Sequence, residues 1–70
     1  MKVTKRDIGR WATVKYDDIG RRDVLIVELR EHVQLNNKVV KEAVVFEPFE
    51  GTDVVELDQI VELRKWQHAH

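Results

Sequence analysis

The 70-residue chain is predicted to fold as one all-β domain. Three observations carry that expectation. β-Branched residues are frequent, turn-forming residues recur at short intervals, and apolar residues alternate with polar ones over several runs. No repeat, linker or low-complexity segment divides residues 1–70, and the core is expected over about residues 10–63.

The first strand is predicted in "RWATVKY", residues 10–16. Alternation puts Ala12, Val14 and Tyr16 on one face and Trp11, Thr13 and Lys15 on the other. "DDIGRRD", 17–23, reads as a polar connection in which Gly20 is free to take a positive φ. From Leu25 to Leu35 one face carries Leu25, Val27, Leu29, Val33 and Leu35, interrupted only by Glu31.

Asn36–Asn37 signals a two-residue hairpin turn, because asparagine tolerates the left-handed region. That turn would set Leu29 opposite Val44 and Val27 opposite Phe46 in the core. It would also set Glu31 opposite Glu42. Two like charges there predict a bulge or an overhanging hairpin tip at that level.

The third strand should run to about Glu47, where Pro48 ends its ladder. "EGTD" turns the chain, and "VVELDQIVEL" reads as strand, a tight turn at Asp58–Ile60, and strand again. Asp53 with Glu56 also fits a capping box, followed by Leu57, Val61 and Arg64 at helical spacing. The β-branched Val54, Val55, Ile60 and Val61 favour strand, with a short helical tail expected from Arg64 on.

Composition narrows the function classes. There is no cysteine, so neither a disulfide nor a thiolate metal site is available. His68 and His70 form an H-x-H pair at the C-terminus without further ligands, and no metal or other cofactor is expected. No Ser-His-Asp arrangement or phosphate-cradling glycine loop is visible, and the chain is read as non-enzymatic. The longest aliphatic run, Val24–Leu25–Ile26–Val27, is too short to span a bilayer. "MKVTKRD" lacks the apolar region of a secretory signal, so a cytoplasmic location is expected. The formal net charge is −1, but residues 1–30 carry a balance of +3 and residues 31–70 a balance of −4.

Three segments resemble a Tudor domain of the SH3-like barrel group. In "ATVKYDDIG" an aromatic, Tyr16, ends the opening strand and Gly20 follows four residues later. In "VVFEPF" two aromatics, Phe46 and Phe49, stand three apart. In "VVELDQI" Leu57 lies eight residues past Phe49 and leads through Asp58 to Ile60. The resemblance covers about residues 10–63 and implies a small barrel of about five strands that acts as a binding module.

What it further implies is an aromatic cage for a methylated lysine or arginine, with Tyr16, Phe46 and Phe49 as walls and Asp17, Glu47 or Glu50 at the rim. Asp23 stands where a further cage aromatic usually lies, and "REHVQLNNK" is longer than the family's usual hairpin. Plasmid-encoded type II dihydrofolate reductase shares the barrel, but Val54–Val55–Glu56–Leu57 replaces its Val-Gln-Ile-Tyr strand.

Each aromatic has a plainer reading. Phe46 would face the core with Val27, and Phe49 would cap the barrel. Trp11 and Trp66 are candidates for a contact surface or for plugs at the barrel ends. Protein binding, through the aromatic and acidic surface or an exposed strand edge, is therefore the leading expectation. Nucleic-acid binding is the second, through the basic set Lys2, Lys5, Arg6, Arg10, Arg21 and Arg22, with Arg21–Arg22 on the first long connection and Trp11 for stacking. A structural homo-oligomer is the third, since self-association would help a small core.

Overall fold

The computed structural model describes residues 2–65. Trp66, His68 and His70, and with them most of the expected helical tail, lie outside the described residues. The described residues form five antiparallel strands in one sheet: β1 (Trp11–Tyr16), β2 (Gly20–Val33), β3 (Val39–Glu47), β4 (Gly51–Glu56) and β5 (Ile60–Leu63). Their order across the sheet is β4-β3-β2-β1-β5. The 3₁₀ turn Leu57–Gln59 carries the chain from one outer strand to the other, so the sheet curls around a single core into a small barrel-like fold. Among the described residues no helix is long and apolar enough to cross a membrane.

β1 has most of the predicted alternation: Ala12 and Val14 are fully buried, Tyr16 packs at the margin of the core, and Trp11 and Lys15 are exposed, whereas Thr13, expected beside them, is covered and donates to Asp23. Gly20 has φ 77° at the end of the first turn, as its position required. β2 starts there, so Arg21 and Arg22 lie on a strand opposite Lys15 and Val14, not on a connection.

The long second strand departs from the predicted face. Val24 and Ile26 are fully buried, whereas Val27 is 45% exposed. The β2–β3 register pairs Leu25 with Phe46 and Ile26 with Val45, then shifts so that Glu28 pairs with Val44 and Leu29 with Ala43. One extra residue on β2 at Val27 makes a β-bulge, and a bulge reverses which residue parity faces inward. Even-numbered residues face the core before it, and Leu29 packs against the core after it. The expected core pair of Val27 with Phe46 is therefore replaced by Leu25 with Phe46, on the opposite face.

The hairpin turn is also one residue longer than predicted. The Asn37 amide donates to the Gln34 carbonyl (2.9 Å), the Gln34 amide to the Lys38 carbonyl (2.8 Å), and Asn37 has φ 66°. This is a three-residue loop whose last residue is left-handed. The extra residue shifts the ladder by one and places Arg30 opposite Glu42 and Glu31 opposite Lys41. The expected repulsion between Glu31 and Glu42 is thus replaced by two opposite-charge pairings. His32 Nδ1 lies 3.0 Å from Glu42 Oε1 on this exposed ribbon. β1 pairs with β2 only as far as Leu25, and β4 with β3 only from Glu42 on, so the hairpin tip overhangs and gives the molecule its 47 Å long axis.

The N-terminal segment closes one end. Val3 belongs to the core, which therefore begins before residue 10. The buried Asp7 accepts a hydrogen bond from the Thr4 amide (2.8 Å) and a 3.2 Å contact from Arg10 Nη1.

Candidate functional site

The longer hairpin loop and the bulge together create the surface of most interest. Because Leu25 and Phe46 share a face directed away from the core, they align with Trp11 on one side and Thr52 on the other in a row across four strands. Trp11 is 37% and Phe46 39% exposed. The neighbouring row continues through Val44 and Val54, with the exposed Val27 at the bulge. Apolar side chains thus cover part of the outer face as well as the core, and clustered exposure of this kind marks interaction surfaces. The expected core position of Phe46 is corrected accordingly: the longer hairpin loop turns Ala43 and Val45 inward, so Phe46, of the opposite parity on the same strand, faces outward.

Beside this row stands the β3–β4 loop. Glu47 has the parity of Ala43 and Val45, so its side chain is drawn inward and buried. Its carboxylate Oε2 accepts the backbone amides of Phe49 (3.2 Å) and Glu50 (2.6 Å). A charged acceptor on two adjacent amides holds the turn after Pro48. The braced turn holds Phe49 in solvent, 94% exposed. A barrel cap would be covered, so that expectation for Phe49 is overturned.

Phe49, Pro48 and Glu50 line a groove of about 510 Å³ with Trp11, Arg22 and Asp23. A second cavity of about 460 Å³ adjoins it across Trp11 and Asp23 and is bounded by Arg64 and Lys65. Asp23 accepts hydrogen bonds from Thr13 Oγ1 (3.0 Å) and Arg64 Nη2 (3.1 Å). The bonds from Arg64 and Thr13 lower its pKa below the ordinary aspartate value.

Tyr16 lies on the other face of β1 from Trp11, with Ala12 and Val14. The arrangement therefore brings Phe49 together with Trp11, Glu47 and Glu50, and sets Tyr16 apart from Phe46 on the opposite side of the sheet. Burial, then the negative charges of Asp53 and Glu47, raise the Tyr16 pKa. A raised folded-state value means that the stability Tyr16 contributes is fully present below the ordinary tyrosine pKa. It is lost as pH rises through the folded value. Since Tyr16 is the single tyrosine, tyrosinate absorbance should report it alone. It should titrate above the ordinary value near 10, and Asp53→Asn should move the transition down. A transition at or below the ordinary value would contradict this placement.

The other predicted residues are dispersed. Asp17 is exposed in the β1–β2 turn. Arg10 is engaged by Asp7 and donates through Nε to the Arg64 carbonyl, which leaves it a structural role at the barrel end. Arg22 joins the Phe49 groove, while Arg21 is exposed on β2.

The β4 edge is partly closed to a docking strand. The Val54 amide is covered by Asp53 Oδ1 (2.8 Å) and the Glu56 amide by Gln59 Oε1 (2.9 Å). Occupied outward amides discourage strand addition. Sequence reasoning did not single out Arg64 or Leu25 for the site, and it noted Asp23 only as a missing ring. Their signal was the Thr13–Asp23 and Trp11–Leu25 register, which depends on where β2 begins. The chain matches no family model, no curated protein and no solved structure.

Proposed function

We propose that this barrel is a non-enzymatic interaction module that binds a basic segment of a protein partner along the Trp11–Phe49 groove. The observation that carries the reading is the 94% exposure of Phe49 on a loop braced by the buried Glu47 carboxylate. An apolar ring held out in advance of binding loses little freedom on contact, which favours its use as an anchor. Trp11 supplies the second ring, and indole is the strongest aromatic partner for a cation. Asp23 and Glu50 line the groove beside Arg22, so a lysine or arginine side chain laid over the Trp11 or Phe49 ring would meet a carboxylate. The strand order, with a 3₁₀ turn joining the two outer strands, supports an SH3-like and Tudor-like assignment. In this reading Trp11 takes the part that the resemblance gave to Tyr16.

A titration with lysine- and arginine-containing peptides, methylated and unmodified, tests the proposal. Cation–π contact contributes about 0.5–2 kcal/mol, so weak binding is expected. Phe49→Ala should keep the fold and lose the binding. If no peptide of either kind binds the parent at concentrations on the order of millimolar, the groove is not a cation site. Arg22 beside two rings also favours a second reading, single-stranded nucleic acid. That reading requires affinity that falls steeply with salt and a flatter slope for Arg21→Ala combined with Arg22→Ala.

A further inference from the structure

The opposite end of the molecule carries a cleft of contrary character. Two adjoining cavities, about 490 and 440 Å³, share Lys2, Val3, Lys41 and Leu57. Their floor is aliphatic: Val3 is part of the core, and Leu29 and Leu57 pack against it. Among the described residues Lys2, Lys5, Arg30 and Lys41 surround the larger cavity with Glu31 as its one acid, and the smaller adds Lys38 together with Glu56 and Asp58, so the positive charge is concentrated at the larger. Among the described residues no aromatic side chain lines either cavity, which gives bases little to stack on and makes single-stranded nucleic acid a poor fit. An acidic polypeptide segment with an apolar anchor fits both the rim and the floor.

The chain itself offers such a segment. The β3–β4 loop presents the exposed ring of Phe49 next to Glu50, with Asp53 two residues beyond Gly51. The loop lies at the other end of β3 from Lys41. The six residue steps between Lys41 and Glu47 span roughly 20 Å along the strand. Among the described residues the cleft and the Phe49 groove share no lining residue. One molecule can therefore use both at once.

We infer that the basic cleft of one copy receives the acidic Phe49 loop of a second copy, giving head-to-tail association through unlike charged surfaces. Such a contact is heterologous and builds chains, or rings where the rotation closes. The inference rests on the reading of the Phe49 loop as a binding element and names one partner for it.

Sedimentation of the full chain across a range of concentrations tests it. The parent should associate at low salt and dissociate as salt screens the contact. Lys2→Glu with Lys41→Glu should abolish association while leaving peptide binding at the Trp11–Phe49 groove unchanged. Phe49→Ala with Glu50→Lys should abolish both. A mixture of these two double variants should form a species of two chains and stop there, because each brings one intact surface. Lys5→Glu with Arg30→Glu provides a second cleft variant should the first fail to fold. A parent that stays monomeric at low salt and high concentration overturns the inference. So does a folded cleft variant that associates like the parent. If the groove still binds basic peptides in either case, the proposed function stands and only the second-copy partner is lost.

Discussion

Ile26→Ala is expected to destabilise the fold by about 2–5 kcal/mol, whereas Val27→Ala, one residue along the same strand, should change it by less than about 0.5 kcal/mol. Ile26 is among the largest fully buried side chains, and Val27 is 45% exposed at the bulge. Truncating Ile26 removes transfer free energy and leaves a cavity that its neighbours Val24 and Val45 only partly fill. Truncating Val27 removes a side chain that is nearly half in water and opens no cavity in the core. Small domains have stabilities of only several kcal/mol, so the first change takes a large share of the total and is readily seen in denaturant melts. Equal losses for the two variants would mean that the parity reversal at Val27 is absent. Leu25 and its partner Trp11 would then need a different face.

Glu47→Ala is expected to cost about 1.5–3 kcal/mol, the range for hydrogen bonds to a charged group. The variant strips the Phe49 and Glu50 amides of their shared acceptor in a place where the carboxylate was buried. Glu47→Gln keeps one acceptor oxygen without the charge and should fall between the parent and Glu47→Ala. Hydrogen exchange distinguishes this bracing from a general packing loss. The Phe49 and Glu50 amides should exchange faster in Glu47→Ala, even under conditions where amides in the centre of β2 remain protected. Unchanged exchange at those two amides would show that Glu47 does not hold the loop. The advance positioning of Phe49 would then need another source.

The two variants probe the steps by which this chain converts a simple pattern into a surface. Glu47 is buried because it follows Ala43 and Val45 in parity, and its burial directs the carboxylate at the turn that Pro48 begins. Phe46 is exposed because the three-residue hairpin loop turns Ala43 and Val45 inward, and the bulge at Val27 then sets Leu25 opposite it on the same outer face. Core packing and the candidate site are thus consequences of one register.

Much of this was legible in the residues. The alternation of "WATVKY", the positive φ at Gly20, the end of the third strand at Pro48 and the strand–tight turn–strand close all follow from local preferences. Side-chain period, glycine freedom, the missing proline amide and β-branching act within a few residues. The all-β class and its five strands were therefore open to reading from the sequence alone.

Register was not, because it is decided between strands. Asn36–Asn37 is compatible with a two-residue or a three-residue loop, and the choice depends on which cross-strand pairs each one forms. The three-residue loop sets Arg30 against Glu42 and Glu31 against Lys41, where the shorter one would oppose two glutamates. Likewise, Val24–Leu25–Ile26–Val27 is apolar at every position, so alternation along β2 cannot say which parity faces inward. Pairing with β1 through Ala12 and Val24, and with β3 through Ile26 and Val45, decides it. Local sequence determined the strands and most of their ends. Only the tertiary structure, through contacts between residues distant in the chain, determined that Val27 and Phe46 face outward and that Trp11 and Phe49 share a groove.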